Sequence, residues 1–86
     1  MFRVVYEKKI LKSLDKIPTA DIERILPIFQ ELSFNPVPIG SKKLSGKEGF
    51  YRIRQGDYRI IYMIDSKEKI IKIVLIAHRK DVYRDF

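Results

Sequence analysis

The sequence contains no cysteine and a single histidine, His78. Without thiolates the chain can form neither a disulfide framework nor a cysteine-based zinc site, and one imidazole does not suffice for a structural zinc centre. No apolar run approaches the roughly 20 residues that a membrane-spanning helix needs, and the N-terminal MFRVVYEKK has no apolar signal-peptide core. We therefore expect a cytoplasmic protein with no metal, no small-molecule cofactor and no membrane association.

Charge is abundant instead, and it is unevenly distributed. The 86 residues are 45% hydrophobic and 34% charged, which predicts a folded chain and a single domain spanning residues 1–86. Residues 1–39 hold six basic and five acidic side chains, whereas residues 40–86 hold twelve and six, so +6 of the net +7 lies in the second half. A one-sided positive field favours nucleic acid first and an acidic protein second. The alternative is charge that only keeps the protein soluble.

The first half of the chain predicts one strand and two helices. Phe2–Tyr6 is a β-branched and aromatic run, and apolar residues recur at helical spacing through Glu7–Ile17. Thr19 is placed to cap a second helix, which Asn35-Pro36 ends. Pro27 lies inside that helix, but the apolar spacing keeps its phase across it, so we expect one kinked helix.

The second half predicts a loop over residues 35–48 and then strands at about 49–54, 57–65 and 69–77. The last strand, IIKIVLIA, is almost continuously apolar, which indicates a central strand covered on both faces. The order β-α-α-β-β-β plus a C-terminal tail predicts an α+β fold. We expect a mainly antiparallel four-stranded sheet with a helical hairpin packed on one face.

The segment FYRIRQGDYRIIY predicts a β-hairpin with arginines on one face. Side chains alternate along a strand, so Arg52, Arg54 and Arg59 should face away from the helices. A turn at Gln55-Gly56 would set Arg54 opposite Asp57, a favourable pair, and Arg52 opposite Arg59. The second pair has like charges and is unfavourable unless an anion lies between them. Arginine suits phosphate, because its planar fork donates two parallel hydrogen bonds and keeps its proton. The other reading is that these arginines occupy the solvent face of a sheet.

The segment AHRKDVYR at the end of the chain adds further groups. We expect His78, Arg79 and Tyr83 to lie near the arginines of the hairpin, with Arg84 beside them. Together they would supply phosphate donors, an aromatic surface for a base and a group that titrates near neutral pH. Each also has a purely structural reading: His78 as a strand-end residue, Tyr83 as a core residue, and Arg84 as a solvated side chain.

These motifs resemble a known family of toxins. KKLSG, FYRIRQGDYRIIYMID and IAHRKDVYRDF, in this order and spacing, are similar to the RelE/ParE superfamily of type II toxin–antitoxin toxins, and more so to its RelE-like branch. The resemblance implies a RelE-like toxin that cleaves messenger RNA on the ribosome without a metal. It also implies a cognate RelB-like antitoxin with an acidic segment as partner, besides the ribosome and the messenger.

The resemblance also implies roles for particular residues. By their match to the motifs, the expected catalytic residues are Arg52, Arg54, Arg59, His78, Arg79 and Tyr83. Contacts to RNA or to the ribosome are expected from Lys42, Lys43, Lys47 and Arg84, although each of the lysines can also be read as a solvated side chain.

Two positions depart from the pattern of relatives. Some RelE-type toxins carry lysine where this chain has Arg54, and arginine cannot act as a general base because its guanidinium is always protonated in proteins. We therefore assign proton transfer to His78, with Tyr83 as the second candidate. Ser45 stands where some relatives have a basic residue, which would weaken contacts to ribosomal RNA.

Two other functions are compatible with this sequence. A ParE-like toxin shares the fold but poisons DNA gyrase and has no ribonuclease chemistry. A toxin that has lost its activity could persist as a non-catalytic module that binds the antitoxin. Cleavage of messenger in the presence of ribosomes separates the first reading from both alternatives.

Overall fold

A five-stranded sheet forms the centre of the protein, as seen in a computed structural model that describes residues 1–81. The strands lie in the order β1-β5-β4-β3-β2; β1 runs parallel to β5, and the other neighbours are antiparallel. The elements along the chain are β1 (Arg3–Tyr6), α1 (Lys8–Asp15), α2 (Thr19–Phe34), β2 (Ser41–Lys43), β3 (Phe50–Gln55), β4 (Tyr58–Asp65) and β5 (Ile70–His78). The predicted α+β fold is confirmed.

The sheet has one strand more than predicted. The additional strand, β2, lies inside the segment 35–48 that the sequence predicted as a loop, and it pairs with β3 at the edge of the sheet. Its three residues, Ser41–Lys43, are too few and too polar to produce a visible alternation of apolar side chains. Tertiary contacts hold it instead: Leu44 donates its backbone N–H to the carbonyl of Phe50 at 2.9 Å and packs against buried apolar residues.

The two helices place their apolar residues on one side of the sheet. Ile10 of α1 and Ile25, Phe29 and Leu32 of α2 are buried. Thr19 does not cap α2 as predicted; it is the first helical residue, and Pro18 occupies the capping position without a side-chain hydrogen bond. Helix α2 continues through Pro27 as one helix. Within residues 1–81, neither helix combines the length and the apolar character that crossing a membrane would require.

Two groups of buried side chains lie on opposite faces of the sheet. The larger core, between helices and sheet, includes Ile53, Ile60, Tyr62, Ile71 and Ile73. The smaller outer cluster consists of Ile61, Val74 and Leu75, with Leu44, Phe50 and Ala77 packed against it. Strand β5 contributes to both groups and lies between β1 and β4, which agrees with its almost continuously apolar sequence.

A β-bulge at Val74 changes the phase of β5. Ile61 pairs with Leu75 while Tyr62 pairs with Ile73, so Val74 is the extra residue on β5. Beyond the bulge, Leu75 and Ala77 lie on the outer face, and Ile76 turns to the helix side. Uninterrupted alternation along β5 would have placed Ile76 on the outer face instead. The outer cluster is not an exposed apolar surface, because Ile61, Val74 and Leu75 are 9% exposed or less.

Candidate functional site

The hairpin of β3 and β4 sets the register of its arginines. Arg54 pairs with Arg59, Arg52 pairs with Ile61, and Gln55 pairs with Tyr58. The two-residue turn is thus Gly56-Asp57, and the predicted turn at Gln55-Gly56, with Arg52 opposite Arg59, is wrong. Gly56 has φ +59° at the first central position, which is where a type II′ hairpin turn requires glycine.

The arginines of the hairpin lie on the face away from the helices. Tyr51 and Ile53 of β3, like Ile60 and Tyr62 of β4, contribute to the core between helices and sheet. Side chains alternate along a strand and paired residues share a face, so Arg52, Arg54 and Arg59 all project from the outer face. Directly opposite side chains on a sheet have Cβ atoms about 5 Å apart, which places Arg54 and Arg59 as close neighbours.

Arg79 reaches the same end of the sheet from β5. Its backbone N–H donates a hydrogen bond to the carbonyl of Asp57 at 2.7 Å, and its Nε lies 3.7 Å from Oδ1 of Asp57. Arg59 contacts the adjoining residue of the turn, because its Nη1 donates to the carbonyl of Gly56 at 2.9 Å. The guanidinium groups of Arg59 and Arg79 are therefore both held against the Gly56-Asp57 turn.

Arg52 occupies a deeper position on the outer face. It is only 7% exposed, and it pairs with Ile61 of the outer cluster on one side and with Lys42 of β2 on the other. A cation in such surroundings is poorly hydrated, so an anion that reached it would be attracted more strongly than at the open surface. Arg52, Arg54 and Arg59 on the outer face, together with Arg79 directly after β5, make up what we call the arginine face.

The three predicted RNA-contacting lysines divide between the two sides of the sheet. Lys42 shares the arginine face through its pairing with Arg52. Lys47 lies in the loop before β3 with its Nζ 6.0 Å from the ring centre of Phe50, which packs against the outer cluster. Lys43 pairs with Tyr51, a core-facing residue, and so projects to the helix side. Lys42 and Lys47 extend the arginine face, and Lys43 does not.

His78 lies on the opposite side of the sheet from the arginines. It pairs with Tyr58, and the two rings meet edge to face with their centres 5.6 Å apart. Its Nδ1 accepts a hydrogen bond from the backbone N–H of Lys80 at 3.2 Å, and it lines a depression with Ser13 and Lys16. The bulge at Val74 explains this position of His78, because it moves each side chain from Leu75 to His78 to the opposite face of the sheet.

Tyr83 and Arg84 lie outside the described residues, so their roles stay predictions. Conversely, the structure draws attention to Asp57, which sequence reasoning had only paired with Arg54. The sequence does carry a signal for its true position: glycine followed by any residue is the pattern of a type II′ turn, and this pattern places Asp57 second in the turn.

Comparison with known proteins identifies relatives over nearly the whole chain. Residues 4–83 match the family described as the ParE toxin of type II toxin–antitoxin systems. The putative toxin RelE1 of Methanocaldococcus jannaschii is 30% identical, covering 98% of this chain and 97% of the relative. Toxin RelE3 of the same organism is 34% identical over 98% of both chains.

Solved structures agree with these relatives. The archaeal RelE–RelB complex from Pyrococcus horikoshii contains a chain that superimposes with a TM-score of 0.82 at 37% identity, covering 91% of this chain and 94% of that one. In the RelB–RelE antitoxin–toxin complex from Methanococcus jannaschii the TM-score is 0.80 at 28% identity, with 95% and 98% covered. The protein therefore belongs to the ParE toxin family of type II toxin–antitoxin systems, and within it to the RelE-like toxins.

Proposed function

We propose that this RelE-like toxin is an endoribonuclease that cleaves messenger RNA in the decoding site of the ribosome. In the proposed step the ribose 2′-oxygen attacks the adjacent phosphorus while the bond from phosphorus to the 5′-oxygen breaks. The 2′-hydroxyl gives up a proton and the leaving 5′-oxygen takes one. The products are a 2′,3′-cyclic phosphate and a 5′-hydroxyl end.

The observation that supports this proposal is the arginine face. Phosphoryl transfer accumulates negative charge on the non-bridging phosphate oxygens, and fixed cations aimed at these oxygens stabilise the transition state. Arg59 and Arg79 are held against one tight turn, and Arg54 lies directly opposite Arg59. We assign transition-state stabilisation to Arg52, Arg59 and Arg79 and an accessory phosphate contact to Arg54. Tyr83 would stack on or orient a splayed base.

Proton transfer requires a group that can accept the proton of the 2′-hydroxyl. Arg54 keeps its proton at any accessible pH, so it cannot serve as the base. An imidazole can exchange a proton, but the His78 ring contacts Tyr58 on the helix side of the sheet. His78 would have to reach the substrate from that side, around the end of β5. Tyr83 is the second candidate for the proton-transfer group. A pH–rate profile of His78→Gln decides between them: an unchanged acidic limb assigns the step to Tyr83.

The toxin acts together with an antitoxin in this proposal. Several of the similar solved structures are complexes of RelE with RelB. A RelB-like antitoxin with an acidic segment would neutralise this chain by covering the arginine face. Growth arrest on expression of the toxin alone, and relief on co-expression of the antitoxin, test this part.

Cleavage of a defined messenger by the purified protein tests the activity. We expect cuts only when programmed ribosomes are present, with cyclic phosphate ends on the products. Arg79→Ala should lower the rate about a hundred- to a thousandfold, the usual effect of removing one preorganised donor. Lys67→Ala, an exposed cation at the turn between β4 and β5, is the matched control and should leave the rate unchanged.

The family match names ParE, so gyrase is the second target to test. Under that reading the protein would stabilise cleavage complexes of gyrase with DNA and leave messenger intact. The relatives that cover almost the whole chain at 30% identity or more are named RelE, which favours ribonuclease activity. If neither activity appears, the protein is a non-catalytic module that binds the antitoxin.

A further inference from the structure

We propose that Asp57 is a positioning residue that holds the guanidinium of Arg79 beside Arg59, where the scissile phosphate would bind. This inference rests on the proposed ribonuclease function. The resemblance to toxins assigns no role to Asp57, because the match to family motifs carries over only the cations and Tyr83.

The first support is that Asp57 contacts Arg79 in two independent ways. Its backbone carbonyl accepts the N–H of Arg79 at 2.7 Å, one residue beyond the last pair of the β4–β5 ladder. This bond fixes the backbone of Arg79 where β5 has already ended. The carboxylate Oδ1 lies 3.7 Å from Nε of Arg79, so it acts on the side chain.

The second support is that the neighbouring residue of the same turn contacts Arg59. The carbonyl of Gly56 accepts Nη1 of Arg59 at 2.9 Å, and the carbonyl of Tyr58 accepts it at 3.0 Å. A turn of two residues therefore sets the positions of two guanidinium groups that come from different strands. Any change in the geometry of the turn moves both groups together.

The chemistry of the contact leaves Arg79 able to bind phosphate. The carboxylate approaches Nε, whereas a phosphate can be bound by a fork that uses the terminal nitrogens. The side chains of Arg79 and Asp57 are 59% and 64% exposed, so the ion pair is solvated and weak. Its effect is to favour one orientation of a long side chain, which has many others available.

The experiment compares Asp57→Asn with wild type in the ribosome-dependent cleavage assay. Asparagine keeps the backbone carbonyl and the shape but removes the charge. We expect kcat to fall about two- to fivefold, the size that an exposed ion pair supports, with KM unchanged. Asp57→Glu should recover part of the lost rate, because the carboxylate can still reach Arg79.

A double-mutant cycle tests whether Asp57 acts through Arg79. In the Arg79→Ala background, Asp57→Asn should cause no further loss of kcat, since the carboxylate then has no Arg79 side chain to orient. The matched control is Asp65→Asn: Asp65 belongs to the other hairpin turn and accepts the backbone N–H of Glu68 at 3.0 Å. This variant should change stability without changing kcat.

A readout without ribosomes separates this inference from the proposed function. The NMR signal of the Arg79 Nε–H group should shift in Asp57→Asn, and inorganic phosphate should bind more weakly to the variant. If wild type cuts no messenger, the proposed function fails, and the NMR result alone decides the role of Asp57. An unshifted Arg79 signal overturns the inference. So does a higher kcat or tighter phosphate binding in Asp57→Asn, because Asp57 would then compete with the substrate.

Discussion

Tyr62 shows how a single buried hydroxyl joins the sheet to the segment after α2. Its side chain is completely buried, and its hydroxyl donates to the carbonyl of Pro36 at 2.7 Å. Burial raises the pKa of Tyr62 from 10.0 to about 12, because the phenolate would have to lose its hydration. The folded state therefore keeps the proton at pH values where the unfolded chain has lost it.

We predict that this difference makes stability fall between pH 10 and about 12. In that range the unfolded chain binds fewer protons than the folded one, so the free energy of unfolding drops by up to about 1.4 kcal/mol per pH unit. Urea unfolding at a series of pH values measures the slope. Tyr62→Phe should lose about 1 kcal/mol at pH 8 with its hydrogen bond, and should show a shallower alkaline slope. Equal slopes in both proteins would contradict this.

Residue patterns alone identified the arginines but not their partners. The alternation of apolar and basic residues in FYRIRQGDYRIIY is strong enough to define both faces of the hairpin, and Arg52, Arg54 and Arg59 do share one face. The predicted register differs from the observed one by one residue, because the prediction puts Gly56 second in the turn and the structure puts it first. The ion pair of Asp57 then forms with Arg79 rather than Arg54.

Helix α2 contains a residue type that is unfavourable inside a helix. Pro27 lies within a helix that runs from Thr19 to Phe34, and it lacks the N–H that would bond to the carbonyl four residues earlier. It is exposed, so the helix gains no buried contact from its ring. Proline is less favourable than alanine inside a helix by about 3 kcal/mol in model hosts.

We predict that Pro27→Ala stabilises the protein by about 1–3 kcal/mol, measured as a shift of the urea midpoint with an unchanged m-value. Arg24→Ala, another exposed position on the same helix, is the control and should change stability by less than about 0.5 kcal/mol. No change or a loss of stability in Pro27→Ala would contradict this prediction.

Strand β5 shows why His78 could not be placed from the sequence. IIKIVLIA is apolar at almost every position, so any phase of alternation satisfies both buried faces and a bulge leaves no mark on the pattern. The bulge at Val74 then decides on which side His78 emerges. In β3 and β4 the same reasoning succeeds, because arginines alternate with core residues and a shift by one residue would place Arg54 and Arg59 between helices and sheet.

At the scale of the whole molecule, charge is concentrated on one face. Most of the net charge of +7 comes from residues 40–86, whose strands place Lys42, Arg52, Arg54 and Arg59 on the outer face, with Arg79 directly after β5. The opposite side carries the helices. The electrostatic field of this face would therefore attract the acidic segment of a partner.

We predict that binding of the antitoxin weakens markedly with salt. Between about 0.1 and 1 M salt the screening length shrinks from about 10 to about 3 Å, so the dissociation constant measured by calorimetry should rise steadily. Arg54→Ala, which removes an exposed cation of the arginine face, should reduce the slope of log Kd against log salt. Lys67→Ala should not. A slope that is the same in all three proteins would place the antitoxin elsewhere.

The parallel pairing of β1 with β5 joins strands from opposite ends of the described part of the chain. Arg3 aligns with Ile70, so β1 has no neighbour in the sheet until β5 has been synthesised. Arg79 follows directly after that strand. The sheet and the arginine face are therefore completed at the same late step of synthesis, and a shorter nascent chain has neither.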